Sequence, residues 1–117
     1  MTVKSRVRVE CHGEVTEISL DAPPMDDTIY EWSNALVATV EETQPKKLLV
    51  NFEFIDRLPS MAIGALLRVH RRIQAYSGQL RLCGMHAKVR ELFTLVGLDG
   101  TIFKIFDSRR SAIESFE

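Results

Sequence analysis

The chain has only two cysteines among its 117 residues, Cys11 and Cys83. They form no Cys-x-x-Cys pair and no zinc-ligand spacing. They read as buried or edge thiols, and a disulfide is not expected in a reducing compartment. Net charge is equally sparse: 15 basic and 16 acidic side chains leave −1. No global field recruits nucleic acid or an anionic membrane. No apolar run reaches the roughly 20 residues of a membrane span. The opening Met1-Thr2-Val3-Lys4-Ser5-Arg6-Val7-Arg8 lacks the apolar stretch of a signal peptide, so the expectation is a cytoplasmic protein. Catalytic signatures are missing as well. There is no glycine-rich phosphate loop and no G-x-S-x-G elbow. His12, His70 and His86 have no chelating partner at a recognised spacing, so no metal is expected. Ser60 and His70, ten residues apart on one helix, stand about 15 Å apart and make no nucleophilic dyad. No acid–base–nucleophile constellation supports an enzyme, and no cofactor is implied.

Apolar residues, by contrast, are plentiful: 45% of the chain, enough for the core of one domain spanning residues 1–117. Their spacing orders the elements. Val3 to Cys11 ends in alternation, with Val7, Val9 and Cys11 opposite Arg6, Arg8 and Glu10, which predicts a half-buried strand. His12-Gly13 turns the chain into a second strand, Glu14 to Leu20, making an antiparallel hairpin. After a loop at Asp21–Asp27, Thr28 to Glu31 has capping-box spacing, with Asp26 and Asp27 as rival caps. The helix that follows carries Ile29, Trp32, Leu36 and Val40 on one face and ends at Gln44-Pro45. Lys46 to Phe52 is a central strand covered on both faces. A second helix runs from Ser60 to Tyr76, with Ala62, Leu66, Val69, Ile73 and Tyr76 in one stripe, and Ser77-Gly78 stops it. Gln79 to Cys83 is a strand. A helix bearing Val89, Leu92, Phe93 and Val96 closes at Gly97–Gly100. Thr101 to Phe106 is a strand, and Asp107-Ser108 caps a last helix bearing Ala112, Ile113 and Phe116. The order β-β-α-β-α-β-α-β-α predicts an α/β fold: a mostly parallel mixed sheet with the helices packed as a layer on it.

The most informative stretch joins the central strand to the second helix, from Asn51 through Leu67. Ser60 at the helix start faces unpaired backbone N–H groups and the positive end of the helix dipole. As a cap, its oxygen accepts a backbone N–H. As a phospho-acceptor, it would hold about −1.5 to −2 charges where the dipole favours them. The two roles are compatible. Met61 to Leu67 is apolar on every side of the helix, yet only one stripe can face the sheet. Met61, Gly64 and Ala65 are therefore expected in an exposed contact patch. Arg57, Arg68, Arg71 and Arg72 read either as a solvated helix face or as a site for an anion or acidic partner.

These residues carry a resemblance. A strand ending near Asn51, a short loop, and Pro59-Ser60-Met61-Ala62-Ile63-Gly64 opening an apolar helix match a family pattern of Asp-Ser-Ser/Thr-Gly-Leu-Gly after such a strand. Gly78-Gln79-Leu80-Arg81-Leu82-Cys83-Gly84 matches its next strand, and Val89 to Leu98 matches its Val-x-x-Leu-x-x-x-x-Gly-Leu pattern. Over essentially its full length the chain resembles the STAS family, in particular bacterial anti-sigma factor antagonists. The resemblance implies a non-enzymatic domain that binds an anti-sigma factor, a serine kinase of the histidine-kinase-like ATPase type. The kinase phosphorylates the serine at this helix start, the phosphorylated domain lets go, and a phosphatase resets it. Ser60 matches the phospho-acceptor. Asp56, Arg57, Pro59, Ser60, Met61, Gly64, Ala65 and Arg68 are the expected partner-binding residues. Pro59 stands where the pattern has its aspartate, Met61 where it has Ser/Thr and Ala62 where it has its glycine. Proline stiffens the loop and supplies neither a carboxylate nor an N–H. Asp56, three residues before Pro59, is the nearby carboxylate. Two further readings stay open: a constitutive, non-phosphorylated scaffold, and a small-ligand or nucleotide sensor using the arginines around the loop.

Overall fold

A computed structural model describes residues 7–20 and 29–116. The elements are β1 (Val7–His12), β2 (Val15–Leu20), α1 (Ile29–Thr43), β3 (Lys47–Asn51), α2 (Ser60–Ala75), β4 (Gln79–Cys83), α3 (Ala87–Leu95), β5 (Lys104–Phe106) and α4 (Arg109–Glu114). The expected first residues of β1, the 21–27 loop and the caps of α1 lie outside the described residues. Gly13 and Glu14 form the hairpin turn, with Gly13 at φ 65°. A glycine with positive φ at the first of two central positions suits a turn whose twist matches the strands it joins.

The sheet runs in the order β1-β2-β3-β4-β5. β1 is antiparallel to β2, and β2, β3, β4 and β5 are parallel neighbours. This is the mixed α/β sheet the element order predicts, because each helix after the hairpin carries the chain back to start another parallel strand. α1, α2 and α3 cover one face. Ile18, Leu20, Leu48, Val50, Leu80 and Leu82 project there and meet Trp32, Leu36, Val40, Leu66, Val69, Ile73, Val89 and Phe93. α4 departs from the single helix layer. It lies on the other face, where Ala112 packs with Val15, Leu49 and Cys83. Alternation along β2, β3 and β4 sends successive side chains to opposite faces, so apolar residues on both parities require cover on both sides.

The first strand corrects a second expectation. Only Val7 packs against the core, and Val9 and Cys11 are exposed. β1 sits at the sheet edge, and alternation alone cannot say how far the helix layer reaches. β2, in contrast, is buried on both faces.

Candidate functional site

The loop from Glu53 to Pro59 is pinned from beneath. Phe52 and Ile55 are wholly buried and Leu58 nearly so, while Glu53, Phe54, Asp56 and Arg57 point outward. The Asn51 side-chain oxygen accepts the Glu53 N–H at 2.9 Å, and the Ile55 N–H donates to the Phe52 carbonyl at 2.9 Å. His86 donates a ring N–H to the Glu53 carbonyl at 2.9 Å. Gly84 permits this closeness: a Cβ there would stand 2.8 Å from the Asn51 side-chain oxygen and 3.2 Å from the Glu53 nitrogen. The loop is thus a short rigid bridge with its charged residues outward.

Pro59 occupies the N-cap of α2 at φ −67° and ψ 152°, and no side chain caps the helix. This corrects the capping role expected of Ser60, which is instead the first helical residue. Its hydroxyl is left exposed rather than tied to the backbone. Extended geometry is natural to proline, so Pro59 takes the boundary position and moves the serine into the first turn. Met61 is 54% exposed, Arg68 is exposed, and Gly64 is half-buried with open space where a Cβ would go. Ala65 is a second correction: it is wholly buried with Ala62 and Leu66 and cannot belong to a contact patch. At about 100° per residue Ala65 turns away from Gly64 toward the buried stripe of Ala62, Leu66 and Val69, and forms the edge of that stripe nearest Met61. Phe54, 52% exposed, adds an aromatic ring near the same end, with the Arg8 guanidinium 5.9 Å from its centre. Of the expected arginines, Arg72 pairs with Glu41 of α1 at 2.7 Å, facing away from the loop.

A buried polar network beneath this loop escaped the sequence reading. The Glu17 carboxylate is inaccessible to solvent. Asn51 donates its amide to it at 2.8 Å, His12 lies at 2.6 Å, Arg109 at 3.1 Å and the Ser19 hydroxyl at 3.3 Å. Burial alone pushes the Glu17 carboxyl up. The hydrogen bonds from Asn51 and His12 and the charge of Arg109 outweigh it and hold the pKa below the ordinary 4.5. Asn51 therefore joins this network to the Glu53 N–H and so to the loop. The signal for it was in β2, where apolar residues switch parity between Val15 and Ile18, so Glu17 had to be covered as well. The donor atoms of Glu10, His12 and Glu17 lie within 4.8 Å of one another. Arg109 already neutralises the innermost carboxylate of that group. Burial and the neighbouring Glu17 charge push the Cys83 thiol up to about 12, which leaves it inert at neutral pH. No helix among the described residues is long and apolar enough to cross a membrane.

Comparison with curated protein sequences finds no match. Solved structures do match. An anti-sigma factor antagonist of Thermotoga maritima superposes with TM-score 0.85 at 15% identity, covering 97% of this chain and 96% of that one. One from Mycobacterium paratuberculosis gives 0.80 at 21%, covering 94% and 92%. SpoIIAA of Bacillus in its phosphorylated form gives 0.65 at 21%, covering 92% and 96%. At these identities the likeness establishes the fold. The STAS domain profile matches residues 6–112, nearly the whole length, and the order, pairing and packing of the strands agree with it. The chain belongs to the STAS domain family.

Proposed function

We propose that this protein is an anti-sigma factor antagonist that binds an anti-sigma factor of the serine-kinase type through the first turns of α2, and that phosphorylation of Ser60 releases it. The observation that carries this reading is the placement of Ser60. Its exposed hydroxyl stands in the first turn of α2, uncapped, between a pinned loop and the outward-facing Met61 and Gly64. Phosphate there gains the helix dipole and first-turn N–H groups, so the fold tolerates it. The same charge next to Met61 repels or desolvates a partner packed there. The domain then acts without a cofactor and without catalysis of its own, in the cytoplasm, and a phosphatase resets it. SpoIIAA, a member with the same fold, has been solved both unphosphorylated and phosphorylated.

A second reading rests on Pro59. The proline stands where the family pattern has an aspartate, and a site lacking that carboxylate suits constitutive docking. One experiment separates the two. The chain is incubated with ATP and an anti-sigma kinase from the same genome, phosphate is located by mass spectrometry, and binding is measured by calorimetry. The switch predicts one phosphate at Ser60, none in Ser60→Ala, and binding by Ser60→Glu weakened about tenfold or more, ~1.4 kcal/mol. Equal affinity of Ser60→Glu and wild type establishes the constitutive reading instead.

A further inference from the structure

From the charge pattern along the sheet edge we infer that β1 pairs antiparallel with β1 of a second copy, joining two sheets into one across a twofold axis. Among the described residues no strand lies outside β1. Four consecutive residues, Arg8, Val9, Glu10 and Cys11, are exposed, and Val9 keeps 47% of its surface in water. An edge of this kind is normally protected by charges that clash with an incoming strand. Here the charges are self-complementary.

The register follows from the backbone. A two-residue turn closes on a hydrogen-bonded pair, His12 with Val15. Alternation then directs the N–H and C=O groups of Val7, Val9 and Cys11 away from β2, toward the open side. Two copies must match these outward residues with one another. Centring the axis on Val9 pairs Val9 with Val9, Val7 with Cys11, and Arg8 with Glu10 twice. The Arg8–Glu10 pairs fall at the closer, non-hydrogen-bonded positions, about 4.5 Å between Cα atoms. Sliding one way sets Arg8 against Arg8, and sliding the other way sets Glu10 against Glu10. One register alone uses most of the strand and opposes unlike charges. This inference is independent of any role for Ser60.

The test is a charge swap read by sedimentation and light scattering. Wild type should shift with concentration toward twice the 13.3 kDa chain mass. Arg8→Glu and Glu10→Arg should each stay at monomer mass. An equimolar mixture of the two should regain the dimer, because each then meets its opposite. That rescue separates charge pairing from the Arg8–Phe54 contact, which Arg8→Glu also removes. Val9→Pro is the second variant: it deletes an N–H that points away from β2, so folding survives and the dimer is lost. Wild type remaining at monomer mass at its highest soluble concentration overturns the inference. So do single swaps or Val9→Pro that dimerise like wild type, and a mixture of folded swaps that stays monomeric.

Discussion

The two faces of the sheet are built to different rules. Beneath α1, α2 and α3 the packing is mainly apolar, with Trp32, Phe52, Phe93 and Phe103 fully buried. Phe93 stands edge-to-face with both Phe52 and Phe103, at 6.3 and 5.7 Å. Beneath α4 the apolar part is small, and the rest is polar. Glu17, Asn51, His12 and Arg109 form one network. Arg81 forms another, donating to Ser115 at 3.0 Å with its guanidinium 5.1 Å from the Phe116 ring. The first face supplies stability through area removed from water, which is strong but non-directional. The second supplies direction, because hydrogen bonds to a buried carboxylate have a fixed geometry. The two meet at Asn51-Phe52, where one residue enters the network and the next enters the core. The loop bearing the candidate site starts at that point.

Three variants break or sharpen this contrast. Phe52→Ala empties an aromatic position in the apolar face and should cost about 3–5 kcal/mol in urea unfolding, with the unfolding midpoint falling accordingly. A loss below about 1 kcal/mol would mean the core closes over the gap and the face is not tightly packed.

Glu17→Ala strips the acceptor from Asn51 and Arg109. Arg109 is half exposed and rehydrates, so the expected loss is smaller, about 1–3 kcal/mol. The pH dependence is the sharper readout. The Glu17 pKa is held below 4.5 in the folded state. Its stabilisation is therefore complete above the unfolded carboxylate range and is lost as pH falls below about 4.5 toward the folded value. Stability measured against pH should show that acid decline steepened in wild type relative to Glu17→Ala. Parallel curves would show that the network does not favour the ionised carboxylate. Backbone amide exchange at Glu53 should also accelerate in the variant, since Asn51 loses its anchor.

Gly64→Ala has the smallest effect and the opposite sign. The added methyl meets nothing within 4 Å, so the helix gains about 0.5–1 kcal/mol. If a partner approaches closely there, its affinity falls while stability rises. Unchanged affinity would move the contact surface away from Gly64.

Much of this molecule was legible beforehand. Apolar spacing and turn signals ordered the elements, although β5 begins only at Lys104 and leaves Ile102 and Phe103 in front of it, and the residues of Asn51 to Leu67 carried the family likeness. Of the expected stripe, Ala62, Leu66, Val69 and Ile73 are buried as its period of three to four requires, while Tyr76 is half-buried at the C-cap. Ser108 caps α4 by accepting the Ser111 N–H at 3.1 Å, as its position after the fifth strand implies. These are local properties: periodicity, turn chemistry and capping depend on neighbours along the chain. What remained hidden depends on neighbours across it. Alternation in β1 could not reveal that the helix layer stops short of Val9, because cover is set by where α1 lies. Ala65 and Gly64 are adjacent small residues, and only the docking angle of α2 decides which is sealed and which is open. Pro59 took the cap from Ser60 because loop geometry settled the boundary by one residue. Glu17 became the centre of a network because α4, ninety-two residues onward, packs Arg109 against it. The sequence by itself determined the elements, their order and the family. Tertiary structure alone decided which face each helix covers, which hydroxyl is exposed and which carboxylate is buried, because burial and pairing arise between segments that only folding brings together.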